Sequence, residues 1–325
     1  MRPKSGADRE ERRKWKRVHV QAEDHEPALP QGSSLLRTLP YSADPGDVGG
    51  LFARALHRLV LRYGILNVSP RFGYELRASW SDGGRLITPY FFCSDPLQRQ
   101  KIPRALLAAG YPNCEVEEAK RPFHKLRRGD RVGGFDLDLL RNWRYPIGTS
   151  FERPPMNFVA AAMLMEDDVE HILFQVLARP VPARAGRSRT LAARLRTPPA
   201  TGGRTPPDNL ARAEALEAKA REKHFRVAVR VLAAGRSTSV LDRLDQLADA
   251  CDAFASPFNG FRARKVPRAR VPELVRAMAA RDMGAFAPRR LVLGASELAH
   301  LVRLPGGEGW TVPHVRWNRV KPRGQ

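Results

Sequence analysis

Cysteine is scarce in this chain: Cys93, Cys114 and Cys251 are the only three among 325 residues. They are far apart, odd in number, and form no C-x-x-C pair or Cys/His ligand spacing. That excludes a disulfide framework and a structural zinc site, and it fits a reducing cytoplasmic compartment. Long apolar runs are missing too, since nothing approaches the roughly 20 residues that span a bilayer. The opening MRPKSGADREERRKWKR is charged but has no apolar core behind it, so it is not a secretory signal. Acid is the third shortage. The chain carries 34 Asp+Glu against 56 Lys+Arg, a formal charge of +22.

Such an excess makes a long-range field that favours polyanions, of which nucleic acid is the commonest. The wealth of Arg, Ala and Pro also suits a GC-rich coding background, so the charge counts only where it is clustered. The chain is 42% hydrophobic, enough to bury a sizeable core.

Recognised catalytic signatures are absent from the sequence. A P-loop needs Gly-Lys-Ser/Thr at a strand-to-helix turn, and no Gly-Lys dipeptide occurs; GRSRT (186–190) and GRSTS (235–239) come nearest. There is no G-x-S-x-G elbow and no H-E-x-x-H or H-x-H pair. His57 and His171 fall in a helix and a strand pattern, and His300 follows Glu297 three residues on, the spacing of ordinary surface polarity when it occurs once. Glu166, Asp167, Asp168 and Glu170 beside His171 could hold a cation, although a solvated turn explains them as well. No catalytic residue, cofactor or metal site is expected.

Residues 1–46 are polar and punctuated by Pro and Gly, and are expected to form a disordered leader. The spacing then predicts a helix over 47–63 and a strand over 72–80. A Ser81-Asp82-Gly83-Gly84 turn leads to a return strand over 85–93, followed by a helix over 95–109 and a short strand over 114–120. After a linker (121–153) the order recurs, with a helix over 155–165 and strands over 170–178 and 224–232. A helix over 238–255 and a strand over 260–266 complete it. This α-β-β-α-β order, found in 47–120 and again in 154–270, predicts an α+β fold of tandem ferredoxin-like (split βαβ) units whose opening strands are not evident. The second unit contains an insertion over 179–223. Its part from 179 to 207 is Arg- and Pro-rich, has no acid, and is expected to be disordered. Residues 208–223 read as an exposed helix capped by Asp208.

Basic residues cluster in three places, which makes them the candidate phosphate contacts. In the insertion they are Arg184, Arg187 and Arg189. In FRARKVPRAR they are Arg262, Arg264, Lys265, Arg268 and Arg270. In the tail Arg316, Arg319 and Lys321 surround Trp317, an aromatic on which a base could stack. No sequence-specific readout motif accompanies them.

The segment RRLVLGASELAHLVRLPG (289–306), with Leu293, Ser296-Glu297-Leu298-Ala299, His300-Leu301 and Leu304-Pro305, resembles the junction that precedes the motor in conjugation-type ATPases of the HerA–FtsK superfamily, relatives of type IV secretion coupling proteins. LFARALHRLV (51–60), GYELRA leading to Tyr111-Pro112, and FRVAVRVLA followed by DAFASPFNGFRA, with Asn259 at the family's Asn position, fit the same region. The chain departs from the pattern at Arg303, where the family has His. The resemblance implies a pre-motor module of a DNA-transfer machine, contacting DNA nonspecifically. Its P-loop motor would lie on another chain, self-association is open, and the machine would be cytoplasmic beside a membrane. The alternatives are a protein-only interaction module and a truncated remnant of such an ATPase.

Overall fold

The computed structural model describes residues 33–40, 71–81, 84–94, 114–119, 123, 126–127, 129–164, 169–182, 185–198, 204–284, 286, 288, 291–306 and 316–317. Ten strands lie among them: β1 (Ser33–Pro40), β2 (Arg71–Ser81), β3 (Gly84–Ser94), β4 (Cys114–Glu118), β5 (Arg131–Leu139), β6 (Val169–Val181), β7 (His224–Gly235), β8 (Phe261–Lys265), β9 (Val292–Gly294) and β10 (Arg316–Trp317). All ten join one sheet. Its main path runs β4-β1-β3-β2-β6-β7-β5-β8, with β9 added to β7 and β10 to β3. Every junction along that path is antiparallel.

The fold is therefore α+β, as the alternation of elements implies, and the strands expected after residue 71 fall close to their predicted limits. Two differences concern the opening strands. Ser33–Pro40, expected in a disordered leader, is β1, paired on both sides. Arg131–Leu139, expected in a linker, is β5, held between β7 and β8. Their neighbours explain the miss. Gly133-Gly134 interrupts the alternation of β5, and in β1 the adjacent Leu35-Leu36 break the period of two. The expected helices over 47–63 and 95–109 fall outside the described residues.

Six α-helices are described: α1 (Pro155–Leu164), α2 (Ala185–Arg196), α3 (Pro207–Ala220), α4 (Ser239–Ala250), α5 (Val271–Ala279) and α6 (Ala295–Leu301). Alternate residues of the strands supply the main core, including Tyr74 and Leu76 of β2, Phe174 of β6, Val229 of β7 and Phe135 of β5. This core packs beneath α1, α4 and α6. Each such fully buried side chain contributes about 1.5–3 kcal/mol. Helix α1 opens on Pro155, where a missing N–H is harmless, and is buried on nearly every side. Buried guanidinium groups satisfy its last carbonyls: Arg243 donates to Ala162 O at 2.7 Å and Arg85 to Met163 O at 3.3 Å.

The strand alternation in β2 suggests that Arg71, Glu75 and Arg77 face solvent. At the middle of the sheet they do not. Helix α5 lies across this second face, where a Cβ on Gly134 would sit 2.4 Å from Leu274 Cδ2, so glycine is what lets the helix lie so close. Beneath α5 and the chain that follows it, Glu75 and Arg77 are buried.

Candidate nucleic-acid interface

The described part of the insertion between β6 and β7 is helical even where disorder is expected. Ala185–Arg196 forms α2, and Pro207–Ala220 forms α3. Ala, Leu and Arg are strong helix formers, and neither helix needs to bury its apolar stripe alone. Ala192 of α2 meets Ala213 and Leu216 of α3, with Leu191, Leu195 and Tyr145 packed around them. Arg196 and Glu217 pair across the hairpin, with Arg196 Nη2 donating at 3.0 Å. Helix α3 is consequently half-buried rather than exposed throughout. Its cap is Pro206, with no side-chain cap bond, so Asp208 lies in the first turn instead of capping it.

The remaining face of α2 is basic. Arg187, Arg189 and Arg194 are exposed, and no ion pair forms at any of them among the described residues. Arg187 and Arg194 are seven residues apart, roughly 10 Å along one side of the helix. Arg184 lies outside the described residues.

The second expected cluster is mostly neutralised by its surroundings. Arg264 on β8 donates to Asp136 at 2.5 and 3.2 Å and lies 3.4 Å from Asp138. Its hydrogen bond to Asp136 and the nearby carboxylates raise its guanidinium above the ordinary value. Lys265 pairs with Asp245 at 2.8 Å, and Arg270 with Glu273 at 2.9 Å. Only Arg262 and Arg268 of that cluster remain exposed with no carboxylate partner among the described residues. In the tail, Arg316 and Trp317 form β10 against Leu86 and Ile87 of β3, while Arg319 and Lys321 lie outside the described residues. Strands β3 and β8 are five steps apart along the sheet, roughly 24 Å at the usual spacing. The three clusters are thus not one patch.

The arm formed by α2 and α3 is anchored at its base by the segment that drew the family resemblance. Glu297 of α6 accepts from Lys219 Nζ of α3, from Gly294 N at 2.5 Å and from Ile147 N at 2.7 Å. Lys219 also lies 2.8 Å from the second carboxylate oxygen, and both side chains are buried. Burial pushes the Glu297 carboxyl above its ordinary value, against the pull of Lys219 and the two N–H groups. Glu222 takes the Ser296 hydroxyl at 2.5 Å and the Ser296 N–H at 2.9 Å. A Cβ on Gly294 would fall 2.3 Å from Glu222 Oε2, so this approach requires glycine. The Gly294-Ala-Ser-Glu297 run is a clamp that fixes α3 to α6.

Asn259 also has a structural task. Its Oδ1 accepts from Arg141 N and Gly260 N, and its Nδ2 donates to Asn142 O and Tyr145 O. These four bonds tie the loop after β5 to the turn before β8. Substituting Asn259→Ala leaves all four backbone groups without that partner in a site that is 4% exposed. We expect a loss of about 2–3 kcal/mol, read as a lower denaturation midpoint with unchanged slope.

The acidic cluster divides. Glu166, Asp167 and Asp168 lie outside the described residues, while Glu170 pairs with Arg127 at 3.6 Å and Arg236 at 3.9 Å. Burial lowers the His171 imidazole below its ordinary value. Among the described residues no group of three or more His, Cys, Asp or Glu is placed to hold a metal ion. None of their helices is long and apolar enough to cross a membrane.

The sequence concealed a row of register partners on the second face of the sheet, running Glu117–Arg37–Tyr90–Glu75–Gln175–Arg230–Asp136–Arg264 from β4 to β8. Glu75 is its hub. It accepts from Arg77 at 2.6 Å and Gln175 at 2.9 Å, and Arg281 Nε lies 3.0 Å away. Burial alone would raise the Glu75 carboxyl, but Arg281 and Arg77 hold it below its ordinary value. Burial also pulls the Arg230 guanidinium down to about 10. Arg230 donates to the carbonyls of Ala277, Asp282 and Phe286. A scan for charged residues on alternate positions of every strand would have signalled this row, but only with the strand order in hand.

A family model described as a domain of unknown function (DUF8128) matches residues 11–317. No curated protein matches significantly. Among solved structures, an aclacinomycin oxidoreductase is 12% identical with a TM-score of 0.33, over 68% of this chain and 41% of that one. A BBE-like protein (#28) from Arabidopsis thaliana is 10% identical with a TM-score of 0.27, over 70% and 44%. The chain spans less than half the length of either structure, and likeness at that level carries no functional argument.

Proposed function

This chain belongs to the DUF8128 family, and from the surface described above we propose that it is a non-catalytic assembly module that grips DNA phosphates. In this reading it serves a DNA-translocating machine whose motor is on another chain. The observation that carries the proposal is α2, an ordered helix presenting Arg187, Arg189 and Arg194 to solvent with no carboxylate partner among the described residues. Arginines on a fixed helix contact backbone phosphates without reading bases, which suits a machine that must hold any sequence. The resemblance of 289–306 to the pre-motor junction of conjugation-type ATPases supports the machine. The order of strands supports a duplicated split βαβ architecture. Taken from the outer edge inward, each half of the sheet places its fourth, first, third and second strands in turn.

The test is fluorescence anisotropy with the full chain and labelled duplex or single-stranded DNA. Changing Arg187, Arg189 and Arg194 to Ala together is expected to weaken binding at least tenfold at low salt, while the melting temperature stays within a degree or two. Equal affinity in a folded triple variant would remove α2 as the contact.

A second reading, a module that contacts protein only, is favoured by one observation. Arg264, Lys265 and Arg270 are already engaged by carboxylates, which is how a protein-facing or merely solvated edge looks. On this reading the triple variant and the wild type bind DNA equally poorly.

A further inference from the structure

On the second face of the sheet, two residues along each strand from the row that holds Glu75, the register partners are apolar: Leu35, Phe92, Gly73, Leu177 and Ala228, closed by Met283. Two residues further the face reaches its rim, and there it turns basic. Arg71 opens β2, one step past the Phe72–Ala178 pair, which sets it level with Arg179 of β6. Arg179 is in turn the register partner of Arg226 on β7. Three arginines thus stand on neighbouring strands, about 4.8 Å from each strand to the next. Like charges directly opposite each other across an antiparallel pair destabilise it. At Arg226 and Arg71 the local partners do little to offset that. Arg226 is half-buried, its Nε is buried without a hydrogen-bond partner, and no ion pair forms at it among the described residues. Arg71 reaches the Arg281 carbonyl at 3.5 Å, and its ion pair with Asp282 is 3.9 Å long on a carboxylate side chain that is 52% exposed. A pair so open contributes little. Arg179, between them, is exposed.

We propose that Arg71, Arg179 and Arg226 form a phosphate site, which takes a linear run of phosphates along the rim of the sheet. A guanidinium holds phosphate oxygens through paired N–H donors, and three paired strands fix the spacing between successive arginines. A phosphate seated between two of them replaces their repulsion with a bridge. The row spans about 10 Å, longer than one phosphate, so the ligand chemistry is that of linked phosphates. A free polyphosphate chain and the backbone of one DNA strand both supply it. The site lies where the α2–α3 arm leaves the sheet: β6 ends at Val181 and β7 begins at His224, with α2 and α3 between them in the chain. It does not depend on α2 contacting DNA.

The probes are inorganic tripolyphosphate for the free chain of phosphates and a labelled single-stranded oligonucleotide for the strand, each titrated into the full-length protein at low salt. Tripolyphosphate should bind saturably and raise the melting temperature. Arg226→Gln and Arg179→Gln should each weaken that binding at least roughly tenfold. Arg179 is exposed, so its variant keeps the test open even if Arg226→Gln disturbs the fold. Arg127→Gln with Arg236→Gln removes two exposed charges at the far end of the sheet, about 30 Å away along β7, and should leave binding within about twofold. If the two rim variants weaken DNA binding as well, the source is a DNA strand; if DNA binding is unchanged while tripolyphosphate binding falls, the source is a free polyphosphate. The proposal is overturned if the folded rim variants bind both probes as the wild type does, or if the far-end variant loses as much as they do. Failure of the α2 contact shows only in the α2 triple variant and failure of this site only in the rim variants, so the two ideas fall separately.

Discussion

Substituting Glu75→Leu is expected to cost this protein about 3–5 kcal/mol. Glu75 sits at the centre of the sheet with no exposure, and it balances two buried guanidinium groups, Arg77 and Arg281. Removing it leaves two cations in a low-dielectric site and withdraws one of the two acceptors of the Gln175 amide, the other being Met278 O. Arg281 adds a second aspect. It follows α5 with φ of 51°, and Arg281 N and Asp282 N donate to Met278 O and Ala277 O. That is the helix-ending arrangement in which glycine is usual. An arginine held in left-handed backbone costs about 1 kcal/mol, so Arg281→Gly would relieve strain if geometry alone decided. The guanidinium contact with Glu75 outweighs that relief, and the Gly variant should be less stable, not more. pH carries a further signature. The folded carboxyl is held below its ordinary value of 4.5, so its contribution is complete above that value and is lost as pH falls through the folded one. Urea midpoints between pH 3 and 7 should show this acid limb in the wild type and a flattened limb in Glu75→Gln.

The clamp at the base of the α2–α3 arm gives the second large effect, with the opposite dependence on pH. Glu297→Leu leaves Lys219 buried with only the Val292 carbonyl at 3.2 Å as a described acceptor. It also strips an acceptor from Ile147 N and Gly294 N. A loss of about 3–5 kcal/mol is expected. Lys219→Met should cost less, because Glu297 keeps its two N–H donors and can take a proton. Its folded carboxyl already lies above the ordinary value of 4.5. A raised carboxyl destabilises the fold when ionised, and that penalty fades as pH falls through the folded value towards the ordinary one. The deficit of Lys219→Met should therefore shrink between neutral pH and pH 5, whereas that of Glu297→Leu should not. Thermal melts of the three proteins across that range provide the check.

These two sites mark where residue pattern informs and where it stops. Strands β2, β3, β6 and β7 were legible because Tyr74, Leu76, Phe174 and Val229 alternate with polar residues. The same alternation misleads about Glu75 and Arg77. Polar positions of a half-buried strand read as solvent-facing, and only α5 crossing the sheet reverses that. Helix α2 was missed for a related reason. Its basic, Pro-flanked run cannot fold alone, but Leu191 and Ala192 find a partner in α3 some twenty residues later. The Ser296-Glu297 segment was visible as a motif, yet its role needed Lys219 and Glu222, which nothing near it in sequence points to. The clustered cations were legible as clusters. Their neutralisation by Asp136, Asp245 and Glu273 was not, because two of those carboxylates come from distant elements.

Because α2 is proposed as the phosphate contact, the decisive measurement is the salt dependence of DNA binding by the intact chain. Each phosphate neutralised adds about −0.9 to the slope of log affinity against log salt on duplex DNA. We predict a steep negative slope in the wild type that becomes shallower by about 2–3 when Arg187, Arg189 and Arg194 are replaced by Ala. A wild type with no slope, or a folded triple variant with the same slope, would contradict the account.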